Sequence, residues 1–187
     1  SLKLSNFLCR TLFTGNRPMN MKQIKNSYLE HIKICIESGS WGAGLLRSFT
    51  DYWFAYHKQG PFLNSNNNPK WHNKPSSVKD KDALLEMHFI SDMAFDAIEK
   101  GSDVRLIKEH SIPLRVIRKI LIQQEPKTTT DIENILLRFY RLGVLTKDED
   151  DILRLKGLNS KMPASWGLTE SVFSRYEVAG IKGKLFN

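Results

Sequence analysis

The chain alternates between stretches whose apolar residues return every three or four positions and stretches that are polar throughout. Met21, Ile24, Tyr28, Ile32 and Cys35 keep the spacing of one buried helical face. With Asn20 placed to cap and Gly39 to stop, they predict a helix over 21–38. Trp41, Leu45, Phe49 and Trp53 continue at spacings of four and predict a second helix over 42–57, its aromatic stripe read as core. Gln59-Gly60-Pro61, the run from Asn64 to Pro69, and Pro75-Ser76-Ser77 are turn formers, so residues 59–78 are read as a linker or long loop.

Beyond the loop, Leu84, Leu85, His88, Phe89, Met93, Phe95 and Ile98 predict one apolar-rich helix over 79–99, closed by Gly101. Shorter helices are predicted over 103–110 and 113–124. Thr130-Asp131-Ile132-Glu133 and Thr146-Lys147-Asp148-Glu149 both have capping-box spacing, in which hydroxyl and carboxylate satisfy the first free amides of a helix. The first box predicts a helix ending near Gly143, the second a helix to about Lys156. The acids from Asp148 to Asp151 fall in a first turn, where the helix dipole favours them, and are read as caps rather than metal ligands. After Gly157, Ser165-Trp166-Gly167 reads as a turn, Thr169 to Arg175 as one or two helical turns, and Glu177 to Leu185 as an extended end.

The expected fold class is therefore mainly α, with little or no strand. An N-terminal helical unit over 1–58 and a helical domain over 79–187 would be joined by the 59–78 linker. A length of 187 residues is enough to bury a real core without metals or disulfides. Apolar residues never run to the roughly 18 that a membrane span needs, so a cytoplasmic protein without a membrane partner is expected. Ser1 to Gly15 is acid-free and amphipathic, but Lys3 and Arg10 interrupt its apolar run. It is read as a short helix packing on the body, although a mitochondrial presequence would share this composition.

Charge changes the picture. Lys and Arg number 28 against 20 Asp and Glu, a net of +8, and such an excess suits a polyanionic partner. It is unevenly placed: residues 1–60 carry +5, spread thinly, and residues 101–127 carry +3. The second cluster falls on a notable pattern. Asp103 to His110, the turn Ser111-Ile112-Pro113, and Leu114 to Gln124 read as two short helices about a tight turn, a helix-turn-helix-like segment over 103–124. Val104, Ile107, Leu114, Ile117, Ile120 and Leu121 would face inward, and Arg115, Arg118 and Lys119 outward. In such a motif the second helix enters the major groove. Arg115, Arg118 and Lys119 would then reach guanine edges or phosphates, with Lys108 or Arg105 on the backbone and Ser111, a cap for the second helix, counted in the same DNA-binding set.

Catalytic and cofactor signatures are absent. There is no Walker-type phosphate loop, no G-x-G-x-x-G, no H-E-x-x-H and no G-x-S-x-G. The five histidines fall on different elements without ligand spacing, and Cys9 and Cys35 are too few for a thiolate zinc site. No enzyme activity, cofactor, metal or catalytic residue is expected. Trp71-His72-Asn73-Lys74 is read as a loop motif.

The stretch from Met93 to Lys119, with its helix closed by Gly101, Ser111-containing turn and Leu/Arg/Lys-rich helix, resembles the DNA-binding region of FlhC-type bacterial activators. These are the flagellar master regulators and their relatives on conjugative elements. Ile135 to Gly143, followed by a capped helix, is similar to a pattern in their FlhD partner. The resemblance spans about 30 residues. It implies a transcriptional regulator on a bacterial chromosome, plasmid or other mobile element, with Arg115, Arg118 and Lys119 on the recognition helix. The zinc cysteines of that family have no counterpart, since no cysteine follows Cys35.

The expectation is thus a DNA-binding regulator, favouring double-stranded DNA with RNA as a possible target, and acting as a homo-oligomer or with a protein partner. The alternative is a non-catalytic helical adaptor or a subunit of an RNA-containing assembly. Its motive is the aromatic content of Trp41, Phe49, Tyr52, Trp53 and Phe54, more than a two-helix unit would bury.

Overall fold

The structure, a computed structural model, describes residues 21–41, 45–46 and 84–186. The N-terminal amphipathic stretch, most of the second predicted helix, the 59–78 loop with Trp71-His72, and the start of the helix predicted from residue 79 lie outside them. The chain divides into two compact units, 1–69 with 120–135, and 70–119 with 136–187.

In the first unit, helix α1 runs over Met21–Ser38, as the apolar period predicts. Leu29, Ile32 and Cys35 are buried on one face, and Gly39 ends the helix in a left-handed turn at φ +67°. The Lys25 ammonium meets the Glu133 carboxylate at 2.8 Å, tying α1 to the 120–135 segment of the same unit. Ile120, Leu121, Ile132 and Ile135 of that segment are buried.

The second unit overturns the expectation of a mainly α chain. It holds four strands, β1 (Phe89–Ser91), β2 (Leu106–His110), β3 (Leu142–Thr146) and β4 (Gly183–Leu185), in one sheet of order β2-β3-β1-β4. Central β1 and β3 are parallel, with Phe89 opposite Gly143 and Ile90 opposite Val144. The outer pairs, β2 with β3 and β4 with β1, are antiparallel. Helices α2 (Asp92–Lys100), α3 (Leu114–Gln124), α4 (Thr129–Phe139), α5 (Lys147–Leu155) and α6 (Ser174–Ala179) complete the described elements. The class is α/β.

Each missed strand has a physical reason. Every residue of β1 and β3 is buried. A strand covered on both faces reads as a continuous apolar run, which periodicity does not separate from buried helix. The helix predicted over 79–99 is therefore interrupted by β1, and its second half forms α2. Ser91 ends β1 and caps α2, its hydroxyl accepting from the Ala94 amide at 3.1 Å. Gly101 closes α2 at φ +63°, where a left-handed residue is needed. The helix predicted over 103–110 is instead strand β2. Leu, Lys and Glu favour helix locally, but five paired positions with β3, from Leu106–Thr146 to His110–Leu142, override that preference.

The first capping box sits two residues earlier than expected. Thr128, not Thr130, caps α4, exchanging hydrogen bonds with Asp131. That helix ends at Phe139 rather than near Gly143, where β3 already runs. The second box forms where the spacing placed it: Thr146 accepts from the Glu149 amide, and Glu149 accepts from the Thr146 amide. Near the end, the helical turns expected over 169–175 fall instead at α6, and β4 forms within the extended end. Phe89, Leu145, Leu153, Leu158, Tyr176 and Ile181 form a core cluster in this unit. The Phe89 and Tyr176 ring centroids lie 4.7 Å apart.

Candidate nucleic-acid interface

Helix α3 keeps the two faces that its sequence predicts. Ile117, Ile120 and Leu121 are buried, while Arg115, Arg118 and Lys119 are exposed. Spacings of three and four residues put these cations on one side of the helix. The exposed side continues through Ile122 and Gln123, residues not singled out from the sequence. No acid occurs between Leu114 and Gln124. Arg115 and Lys119 have no acidic partner among the described residues. Eleven residues make a rod roughly 16 Å long, long enough to lie along a major groove about 12 Å wide.

The other three candidates are not brought together with that face. With strand β2 in place of a first helix, 103–124 is a strand–turn–helix segment, so no first helix crosses the backbone as in a helix-turn-helix. Arg105 is exposed just before β2, and its carbonyl accepts from the Lys147 amide at 2.9 Å. Its charge acts on Asp151, whose carboxyl is held below the usual range first by the Lys147 ammonium. Lys108 is half-buried within β2. Ser111 is fully buried, so its hydroxyl does not reach a phosphate in this conformation. The proposed inward face also loses Val104, which is 42% exposed.

What holds the start of α3 is a buried cation. Arg175 of α6 is completely inaccessible. Its guanidinium donates to the Ser111 carbonyl at 2.9 Å, to the Leu158 carbonyl at 2.5 Å, and to the His110 carbonyl and Glu109 carboxylate. Only a guanidinium offers five donors in a fixed fork. One side chain thus fastens the end of β2 and the turn preceding Pro113, from which α3 departs. Pro113 itself sits at the head of α3, its carbonyl accepting from the Val116 and Ile117 amides. Nothing in the sequence around Ser174-Arg175-Tyr176 marked the arginine as interior. Charge neutralisation by Glu109, 66 residues away in sequence, is what permits it.

The carboxyl ends of the parallel strands are the other place where an anionic ligand would be sought. Here β1 and β3 run directly into the N-termini of α2 and α5. The chain fills this place itself. The buried Glu149 carboxylate accepts from the Ser91 hydroxyl at 2.5 Å, the Thr146 amide at 2.9 Å and the Thr146 hydroxyl at 3.0 Å. A built-in anion thus serves the caps of both helices, where the dipoles favour negative charge. Among the described residues no group of three or more His, Cys, Asp or Glu could hold a metal. No described helix is long and apolar enough to cross a membrane. No family model, curated protein or solved structure matches the chain.

Proposed function

We propose that the protein binds double-stranded DNA through the exposed face of α3 and acts as a transcriptional regulator, on a bacterial chromosome or a mobile element. One observation carries the reading: Arg115, Arg118 and Lys119 stand on the exposed side of a helix that contains no acid and whose opposite side is buried. The resemblance of residues 93–119 to FlhC-type activators supports the regulatory half of the proposal. β2 takes the place of that pattern's short helix, so the contact proposed is of a single helix rather than a helix-turn-helix pair.

In this reading Lys119 and Arg118 neutralise phosphates, Arg115 at the head of the helix reaches base edges, and Ile122 is available to thymine methyls. Arg175 acts at one remove, by fixing the turn that aims α3. Gel shifts of duplex DNA, single-stranded DNA and structured RNA at two salt concentrations test the proposal. Duplex binding that weakens with salt and with Arg115→Ala/Arg118→Ala supports it. Binding of RNA alone would move the chain to the RNA-associated class, and unchanged duplex affinity in the double variant would remove α3 from the interface.

A further inference from the structure

A second surface of the 70–119/136–187 unit combines an apolar floor and exposed cations. Lys156, Leu158, Lys161, Met162, Pro163 and Val178 line an open groove of about 450 Å³. Leu158 and Met162 form a nearly buried floor, while Val178 is 53% exposed. Leu155, one position before Lys156, is 87% exposed, the highest value among the large apolar side chains described. Lys156 and Lys161 have no acidic partner among the described residues. The Lys156 ammonium donates to the Val178 carbonyl at 3.1 Å, which leaves it two further hydrogens. The acid beside Val178, Glu177, is engaged elsewhere and accepts from the Ser171 hydroxyl at 2.7 Å.

The shape decides between kinds of occupant. A small molecule is held by burying most of its surface, which a groove open along its length does not do. An apolar side chain carried by another protein is different, because the partner's own surface closes the open side. Two cations at the rim, both without an acidic partner among the described residues, favour carboxylates next to that side chain. We infer that the groove docks a short segment of a partner protein in which Asp or Glu flanks a large apolar residue. The apolar residue lies over Leu158, Met162 and Val178, and the carboxylate meets Lys156 and Lys161. This inference stands independently of the nucleic-acid reading.

The test uses the whole chain and a random dodecapeptide library displayed on phage. The expected result is enrichment of peptides with an acid within two positions of Leu, Ile, Phe or Met. A synthetic, dye-labelled copy of an enriched peptide should bind the parent in fluorescence anisotropy. It should bind Lys161→Glu roughly tenfold more weakly or worse. Lys161 makes no hydrogen bond among the described residues, so this variant should fold, as circular dichroism will verify. Panning the folded Lys156→Glu/Lys161→Glu variant should turn the selected charge from acidic to basic. Absence of enrichment, enriched peptides without acids, or equal binding by the folded Lys161→Glu chain would overturn the inference. So would charge reversal that weakens duplex DNA binding and leaves peptide binding untouched.

Discussion

Arg175 puts a full charge in the interior, and its removal would take one charged donor from the Glu109 carboxylate and from three carbonyls. Arg175→Met is expected to cost about 3–5 kcal/mol, seen as a fall in Tm of roughly ten degrees. Its neighbour Tyr176 gives the opposite case. The Tyr176 hydroxyl is buried with no hydrogen-bond partner among the described residues, so Tyr176→Phe loses no protein hydrogen bond. Its Tm should match or exceed the parent's. Burial first, and then the Glu109 charge, hold the Tyr176 phenol above its usual range. Its contribution is therefore intact below the ordinary tyrosine value and is lost as pH rises from there toward the raised folded one. Loss of stability on the alkaline side should be smaller in Tyr176→Phe. Gly183 shows a backbone limit. A Cβ there would lie 2.3 Å from the Ile90 carbonyl oxygen and 2.5 Å from the Phe89 ring. Gly183→Ala must push β4 off β1, at a cost of about 1–3 kcal/mol in a denaturant melt. None of these roles was legible in the sequence, because each depends on a partner far along the chain. The outward face of α3 was legible, because its pattern is complete within eleven residues.

Elements were readable in proportion to how local their causes are. Helices α1 and α3 follow from their apolar period and α5 from its period and capping box, and all three form where the sequence placed them. Strands β1 and β3 were hidden because their burial on both faces erases alternation. Strand β2 was hidden because its residues favour helix until β3 is beside it. The Thr128–Asp131 cap was displaced because three consecutive threonines offer the same chemistry, and tertiary context chooses among them. The caps at Ser91 and Thr146 share one carboxylate, so they should not behave independently. Thr146→Ala is expected to cost about 1 kcal/mol as a lost cap. Ser91→Ala with Thr146→Ala should depart from additivity in a double-mutant cycle, since both hydroxyls donate to Glu149. The Asp131 carboxyl is lowered first by the Thr128 hydroxyl. Its help to α4 is thus present above the ordinary aspartate value and lost as pH falls through the depressed one. An acid titration of Asp131→Asn followed by circular dichroism should lack that component.

On the scale of the whole molecule, the net charge of +8 matters less than where its cations stand. Some are spent on the fold: Arg175 is buried, Lys25 pairs with Glu133, and Lys147 pairs with Asp151. Others line the peptide groove. Arg115, Arg118 and Lys119 share one exposed helix face, and the functional proposal concentrates on them. Of Arg115 and Arg118 only the second is assigned to a phosphate, so removing both should lower the slope of log K against log salt by about 1 unit in magnitude. The most direct measurement is the duplex DNA affinity of the parent and of Arg115→Ala/Arg118→Ala at two salt concentrations. The proposed interface predicts a salt-sensitive complex that the double variant weakens tenfold or more, roughly, with the shallower slope. No complex at low salt, or equal affinity and equal slope in a folded double variant, would contradict it.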